Sequence, residues 1–419
     1  MLYLLVKLLM TIATRVFYRR IHFLHATHIP ATGPVILLAN HPGSLMDAAL
    51  LGLLLNRPVH FFARGDIFKN KVIAALLRTL HMHPVHHHLD GRSSIHANDE
   101  SFDTAIGLLQ AGEIVLFFPE GFSHVDYYLL PFKKGAFRLA FQAMQKTGLP
   151  SLPIVPIGFH YTHPKALFSS VWVLASAPIE TASWYSGYMH SPAKTVRQIC
   201  TTAFQAISAI TIQVEKNRAK LLFNLLELFR TDPGYQGLLP GQQWQAEKEL
   251  SRFIQDCQED QLSVYQEYFT LRDAHLLKEE WITAAELPGS TRQLAWICWP
   301  IALPGLLVHG IAIYTAKQLA DAKVTRVDFY AWILVAAAAL LDIGLHLVLF
   351  ILIAALFSLT PAVLFLAASM LAGWISWKSA PYLLVARSRS KCKKIPADSL
   401  QLLRAKRAKL METIKVFLA

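Results

Sequence analysis

Two long apolar stretches in the second half of the 419-residue chain constrain its fold most strongly. Residues 294–316 contain no Asp, Glu, Lys or Arg, and Asp342 is the only such residue in the 49 positions from Phe329 to Trp377. A helix of 49 residues measures about 74 Å, whereas a bilayer core is about 30 Å thick. The longer stretch therefore predicts two spans, with a break at Ser358–Pro361. The shorter stretch contains two prolines and fits either a kinked span or a re-entrant segment.

Basic residues follow these stretches directly. From Arg387 to Ala419 there are ten Lys and Arg and two acids, which gives +8 of the total net charge of +12. This position favours a juxtamembrane tail attracted to anionic membrane lipids, and no nucleic-acid partner is expected. If the tail and the region that precedes the apolar stretches both face the cytoplasm, the number of crossings is even. We therefore expect two crossings of a multi-pass or tightly associated membrane protein.

The first twenty residues have the pattern of an amphipathic helix. Apolar side chains recur every three or four positions, at Leu2, Leu5, Leu9, Ile12 and Val16. Arginines follow the apolar run instead of preceding it, which argues against a secretory signal. The pattern favours an interfacial membrane helix over residues 1–24, with a true span and a core helix as alternatives.

Residues 33–180 alternate between short apolar strand-like runs and helical patterns, which predicts an α/β fold with a mostly parallel central sheet. The four cysteines form no CxxC pair, so a thiolate zinc site is not expected. The expected organisation is the interfacial helix, an α/β domain at 25–225, a helical connector at 226–290, a transmembrane region at 291–385 and a basic cytoplasmic tail at 386–419.

Three motifs contain residue types suited to chemistry. Asn40-His41-Pro42-Gly43-Ser44-Leu45-Met46-Asp47 follows a predicted strand, and Pro42-Gly43 leaves His41 on a loop from which it can fold back toward Asp47. A carboxylate that holds one imidazole nitrogen leaves the other as a general base. The alternative is a capping-box-like helix start at Ser44 and Asp47, with His41 as an ordinary loop histidine.

The second and third motifs also lie at predicted strand ends. Arg64 in Phe61–Phe68 suits a phosphate through its planar fork, although a surface pair with Asp66 is the simpler interpretation. Phe117-Phe118-Pro119-Glu120-Gly121 contains an acid and a turn glycine, and Lys133 follows downstream.

Taken together and in this order, the motifs resemble the glycerolipid acyltransferase family over roughly residues 15–220. The resemblance implies that His41 is the general base on a glycerol hydroxyl and that Asp47 orients it. It also implies that Arg64 binds the acceptor phosphate and that Glu120 and Gly121 shape the acceptor site. The expected α/β acyltransferase domain is then followed by a helical connector and C-terminal transmembrane helices.

The chain departs from the common family pattern at two places. Five residues separate His41 from Asp47, where four are commonest in the family. This spacing resembles the branch that contains fungal-type glycerol-3-phosphate and dihydroxyacetone-phosphate acyltransferases and many bacterial relatives. The family's usual Thr-Arg after Phe-Pro-Glu-Gly is replaced by Phe122-Ser123, so a second phosphate-binding arginine is missing at that position. We expect Ser123, His124, or Lys133 and Lys134 to substitute in binding the substrate.

The resemblance implies transfer of an acyl group from acyl-CoA or acyl-ACP to a phosphorylated glycerol acceptor, a reaction of phospholipid biosynthesis. It implies no metal and no bound cofactor. One alternative is a non-catalytic lipid-binding membrane protein that keeps the fold, and another is a His/Asp metal-dependent hydrolase. The histidine run at positions 81, 83 and 86–88 is interpreted as a polar loop or an adventitious metal binder. Asp342 and His346, spaced i,i+4, are either functional or a polar pair satisfied by neighbouring helices.

Overall fold

A computed structural model describes residues 2–85, 93–286, 289–392 and 395–418. Within these ranges, side chains are described except at positions 64, 93–99, 259–261, 280, 284–286, 289–296, 301, 381–391 and 418. The chain divides into two compact units. Unit 1 comprises Met1–Ile212 and Thr325–Trp332, and unit 2 comprises Gln213–Val324 and Ile333–Ala419.

Unit 1 is built from strands that alternate with helices. Its strands are β1 (Tyr18–Leu24), β2 (Val35–Ala39), β3 (Val59–Arg64), β4 (Met82–Val85), β5 (Ile114–Phe117), β6 (Pro153–Tyr161), β7 (Ser169–Ala175) and β8 (Ile179–Glu180). Its helices are α1 (Leu2–Phe17), α2 (Leu45–Leu54), α3 (Lys71–Thr79), α4 (Ser93–Gln110), α5 (Gly135–Thr147), α6 (Ala182–His190) and α7 (Pro192–Ala209).

The strands form one sheet in the order β1-β7-β6-β2-β5-β3-β4, and β8 pairs with β6. Strands β6, β2, β5, β3 and β4 run parallel to one another, while β7 is antiparallel to β6. All five residues of β2 are buried, which is typical of a parallel strand covered by helices on both faces. The predicted mostly parallel α/β fold is confirmed.

The N-terminal segment corrects the sequence-based boundary. The predicted helix over residues 1–24 ends at Phe17, and residues 18–24 form β1, which pairs in parallel with β7. Phe17 and Tyr18 are buried, so contact with the sheet overrides the helical periodicity beyond this point. The apolar stripe of α1 nevertheless stays exposed, at Leu2, Leu5, Leu9, Ile12 and Val16.

Unit 2 is helical. Its elements are α8 (Ala219–Arg230), α9 (Pro233–Gly237), α10 (Pro240–Asp256), α11 (Glu259–Ala274), α12 (Glu279–Glu286), α13 (Gly289–Lys323), most of α14 (Val327–Leu356), α15 (Leu359–Cys392) and α16 (Ala397–Leu418). In the described part of the chain, two helical segments are long and apolar enough to cross a membrane, Val327–Leu356 and Leu359–Ala380. The break between them lies at residues 357–358, at the start of the predicted one.

The basic tail is helical and packs against the connector. In α16, Arg407 donates hydrogen bonds to the hydroxyls of Thr231 and Thr283, and its Nε lies 3.4 Å from a carboxylate oxygen of Glu279. Glu279 is buried and also lies 3.4 Å from Nη1 of Arg272. At least one basic residue of the tail, Arg407, therefore forms hydrogen bonds inside unit 2.

Three histidines lie together where β3 and β4 run side by side. Nδ1 of His60 is 3.0 Å from Nε2 of His83, and the ring of His81 packs edge-on against His60 with centroids 4.7 Å apart. Burial lowers the pKa of all three, and it lowers the pKa of His60 to about 4. The rest of the histidine run, positions 86–88, lies outside the described residues.

This cluster predicts a loss of stability in acid. His60 is neutral in the folded protein down to about pH 4, whereas the unfolded chain takes up the proton near pH 6.5. The free energy of unfolding should therefore fall as the pH drops from 6.5 to 4, by about 3 kcal/mol from His60. Chemical unfolding at pH 7 and pH 4 should show a smaller difference for His60→Gln than for wild type. His190→Gln, on an exposed side chain, is the control, and an equal pH dependence in all three proteins would contradict the prediction.

Candidate active site

The three motifs meet at one edge of the sheet. His41 follows β2, Glu120 follows β5, and Arg64 is the last residue of β3. Because β2, β5 and β3 are parallel neighbours in that order, their carboxyl ends lie side by side. This is where open α/β sheets bind ligands.

His41 and Asp47 form a hydrogen-bonded pair. Nδ1 of His41 lies 2.9 Å from Oδ2 of Asp47, and the imidazole stacks on the ring of Phe118 with centroids 3.7 Å apart. A carboxylate only accepts, so Nδ1 carries the proton and Nε2 presents its lone pair. The histidine side chain remains 18% exposed, whereas the Asp47 side chain is completely buried. The pair thus has the geometry of an oriented general base.

The capping-box alternative is not what the structure shows. Ser44 stands at the N-cap of α2 with φ of 52°, and its side chain makes no capping bond. The carboxylate of Asp47 instead accepts from the backbone N–H of Gly43 at 2.9 Å, in addition to His41. Asp47 is therefore committed to the loop that holds the histidine.

Tyr161, at the end of β6, is a site residue that the sequence analysis missed. Its hydroxyl donates to Oδ1 of Asp47 at 2.5 Å, and burial raises the pKa of the phenol well above 10. Burial also raises the pKa of Asp47, while the bonds from His41 and Tyr161 oppose that rise. A methyl group at Gly43 would lie 2.6 Å from the phenol oxygen, so glycine is required there. The contact between Tyr161 and Asp47 arises because β6 lies beside β2 in the sheet, which the sequence alone does not show.

Glu120 joins the first motif to the third. Its side chain is fully buried, and Oε1 accepts from the backbone N–H of His41 at 3.2 Å. Oε2 accepts from the backbone N–H of Leu130 at 2.8 Å and pairs with Nε2 of His124 at 2.7 Å. The backbone N–H of His124 in turn donates to the carbonyl of His41. The carboxylate therefore fixes the two loops relative to each other.

Gly121 adopts φ of 67°, in the left-handed region that favours glycine. A methyl group at this position would lie 2.7 Å from Cε of Lys133, whose aliphatic chain passes over the glycine. The backbone N–H of Lys133 donates to the carbonyl of Pro119 at 2.7 Å, and its side chain is exposed. The structure thus brings Lys133 to the third motif.

Ser123 is held by residues that lie some two hundred positions away in the sequence. Its hydroxyl donates to Oδ2 of Asp328, and Nη2 of Arg326 donates to its carbonyl at 3.1 Å and to its Oγ at 3.0 Å. The Arg326 guanidinium pairs with Asp328 at 2.7 Å and lies 4.7 Å from the centroid of the Phe122 ring. Arg326 therefore lies beside the position at which the family usually has an arginine and this chain has Ser123. No sequence motif near Arg326 indicates this contact.

Arg64 is placed by its backbone at the end of β3, and its side chain lies outside the described part of the structure. Of the predicted site residues, the structure thus brings His41, Asp47, Glu120 and Gly121 together, with Lys133 and Ser123 at the third motif.

Comparison with known proteins identifies the matched region. A family model described as "Acyltransferase" matches residues 20–160, which include all three motifs. Over 133 residues the chain is 31% identical to the 1-acyl-sn-glycerol-3-phosphate acyltransferase of Bacillus subtilis, covering 32% of this chain and 58% of the relative. Over 210 residues it is 27% identical to 1-acyl-sn-glycerol-3-phosphate acyltransferase alpha of Mus musculus, covering 49% and 70%.

A third relative, glycerol-3-phosphate O-acyltransferase 2 of Saccharomyces cerevisiae, is 30% identical over 115 residues, covering 27% of this chain and 16% of the relative. The chain thus spans 58% of the Bacillus protein and 16% of the yeast protein, under two thirds of each. The matches fall on the α/β region that contains the His41–Asp47 pair. This region therefore matches the acyltransferase family model and is similar to glycerolipid acyltransferases of a bacterium, an animal and a yeast.

Proposed function

We propose that the protein transfers a fatty acyl group from acyl-CoA or acyl-ACP to a hydroxyl of glycerol-3-phosphate or 1-acylglycerol-3-phosphate. The observation that supports this most strongly is the buried carboxylate of Asp47, 2.9 Å from Nδ1 of the partly exposed His41. That pair stands at the sheet edge where Arg64 also ends its strand. The names of the matched relatives are consistent with both acceptors.

The chemistry needs one proton acceptor. Nε2 of His41 takes the proton of the acceptor hydroxyl as its oxygen attacks the thioester carbonyl. The new ester bond forms, the carbon–sulfur bond breaks, and the imidazolium returns its proton to the leaving thiolate. Asp47 holds the ring in position and stabilises the imidazolium that forms between these steps. The acyl group passes directly to the acceptor, so no acyl-enzyme is expected.

The phosphate of the acceptor would be bound by the cations at this edge. Arg64 is the proposed ligand because a guanidinium can bind a phosphate with two parallel hydrogen bonds. Lys133, exposed and lying across Gly121, adds a second positive charge to the same rim.

The Arg64 assignment is tested by kinetics. Arg64→Ala should raise the KM for the acceptor at least tenfold and leave the KM for the acyl donor close to wild type, because the loss of a charge-assisted bond costs about 1.5–3 kcal/mol. Arg64→Lys should recover part of the loss, since an ammonium lacks the bidentate fork. Arg138→Ala, an exposed arginine on α5, is the matched control. A rise in the donor KM instead would assign Arg64 to the donor.

We also infer that the protein is a membrane protein whose α14 and α15 both cross the bilayer, with the active site facing the cytoplasm. Arg326 and Asp328, at the start of α14, are bound to Ser123 inside unit 1. The N-terminal end of α14 therefore lies on the same side of the membrane as the active site. Two crossings return the chain to that side, which agrees with the positive charge of the last 33 residues.

A pair of cysteine substitutions tests this topology. Thr325→Cys, an exposed position of unit 1 just before α14, should react with a membrane-impermeant maleimide from the cytoplasmic face alone. Ser358→Cys, in the break between α14 and α15, should react from the opposite face alone. The parent protein gives the background from the four native cysteines. Labelling of both positions from one face would contradict two crossings.

A further inference from the structure

A cluster of ionisable side chains lies in unit 2, outside the catalytic machinery. His309 of α13 and the i,i+4 pair Asp342 and His346 of α14 each offer one ligand atom, and these atoms all lie within 4.8 Å of one another. Their side chains are 22%, 30% and 10% exposed. The sequence pairs Asp342 with His346 but gives no sign of His309, which comes from a different helix. Burial of ionisable groups in an apolar segment costs free energy, which makes such a cluster a candidate functional site.

The hydrogen bonds of His309 fix its proton. Nε2 lies 3.0 Å from the backbone carbonyl oxygen of Ser369 in α15, an atom that can only accept. Nε2 therefore carries the hydrogen. In the neutral imidazole, Nδ1 then presents a lone pair, and it lies 2.9 Å from Oδ1 of Asp342.

Ser369 also contacts the second histidine. Its hydroxyl lies 2.9 Å from the carbonyl oxygen of Leu366 and 3.1 Å from Nε2 of His346, to which it can donate or from which it can accept. Nδ1 of His346 lies 2.8 Å from the carbonyl oxygen of Asp342, to which it donates in one tautomer, and 3.5 Å from Oδ2 of the same residue. In the other tautomer Nε2 donates to Ser369, and Nδ1 of both histidines and the carboxylate of Asp342 are then free to share one cation.

The donor set indicates which cation. Two imidazole nitrogens and one carboxylate oxygen are ligands typical of Zn²⁺ and similar divalent transition metals. Histidines that bind a metal almost always donate their other N–H to a carbonyl or a similar acceptor, as His309 does to the Ser369 carbonyl and as His346 can to the Ser369 hydroxyl. Gly373 adds room for the ring, because a methyl group there would lie 2.7 Å from Cδ2 of His309.

We propose that Nδ1 of His309, Nδ1 of His346 and the carboxylate of Asp342 bind one divalent transition-metal ion, Zn²⁺ in the first instance. The ion would link α13 to α14 inside the apolar region, and Ser369 of α15 would orient both imidazoles. Its role is independent of acyl transfer, for which the His41–Asp47 pair suffices. Failure of the metal-site proposal would therefore leave the proposed function unaffected, and the reverse is also true.

The test is metal binding by the purified full-length protein in detergent. After chelator treatment, titration with Zn²⁺ against a chromophoric competitor should show one tight equivalent. His309→Gln and Asp342→Asn should weaken it at least 100-fold. Ser369→Ala keeps all three ligands and should weaken it 10- to 100-fold. His83→Gln, which alters the histidine cluster of unit 1, should leave the stoichiometry and the affinity of Zn²⁺ binding unchanged.

Co²⁺ provides a readout that does not depend on affinity. The wild-type protein should give visible d–d absorption bands of a low-symmetry site, and the bands should change in Ser369→Ala and disappear in Asp342→Asn. Circular dichroism checks that each variant is folded. Binding of equal strength in wild type, His309→Gln and Asp342→Asn would overturn the proposal. Absence of a tight equivalent in the wild type would also overturn it, and would leave a proton on His309 as the shared cation.

Discussion

Replacement of His41 by alanine should lower kcat/KM for acyl transfer by about 10²- to 10⁴-fold, the usual contribution of a general base. Nε2 of this histidine is the atom that can take a proton, because Nδ1 carries its hydrogen and donates it to Oδ2 of Asp47, 2.9 Å away. The KM for the acceptor should change little, since the imidazole is assigned to proton transfer and not to the phosphate. The measurement is the initial rate with a labelled acyl donor, and circular dichroism checks the fold.

Two variants frame this result. Asp47→Asn should lose less activity than His41→Ala, because an amide oxygen can still accept from Nδ1 while the charge that stabilises the imidazolium is gone. His190→Ala, an exposed histidine in α6 outside the three motifs, should behave as wild type. Turnover close to normal in His41→Ala would rule out the proposed base. Full activity in Asp47→Asn would reduce Asp47 to holding the loop.

Glu120→Gln should impair both activity and stability although it changes only one atom. Oε1 accepts from His41 and Oε2 accepts from Leu130, so a glutamine must turn its NH₂ toward one of these two backbone N–H groups. A buried donor left without an acceptor costs about 1–3 kcal/mol. Because the conflict displaces the loop of the general base, we expect kcat to fall about 10- to 100-fold.

Thermal unfolding and kinetics on the same preparation check this prediction. Glu180→Gln, on an exposed acid of β8, is the control for loss of a carboxylate. A lower unfolding temperature with unchanged kcat would show that the loops tolerate the conflict, and the positioning role of Glu120 would then be wrong.

The fold and the core of the site follow from local sequence signals. Apolar strands such as β2, each followed by a turn and a helix, predict a parallel sheet, and a parallel sheet brings its carboxyl ends together. The placement of His41 and Glu120 at strand ends follows from the same reasoning. The His41–Asp47 contact was also predicted, because the Pro42-Gly43 turn frees the histidine from helical geometry.

The remaining features depend on contacts between residues far apart in the chain. Residues 18–24 form strand β1 by pairing with β7, a partner about 150 residues away in the sequence. Tyr161 reaches Asp47 because β6 lies beside β2, and Arg326 reaches Ser123 across some two hundred residues. His309 completes the cluster in unit 2 only when α13 packs against α14 and α15. No spacing within a single segment indicates such pairs.

An acceptor panel tests the central claim most directly. The purified full-length protein is incubated with one labelled acyl-CoA and, separately, with glycerol-3-phosphate, 1-acylglycerol-3-phosphate, glycerol and monoacylglycerol. We predict a labelled ester with at least one phosphorylated acceptor, no comparable product with its unphosphorylated counterpart, and loss of that product in His41→Ala. Failure to acylate either phosphorylated acceptor, or equal product from wild type and His41→Ala, would contradict the account.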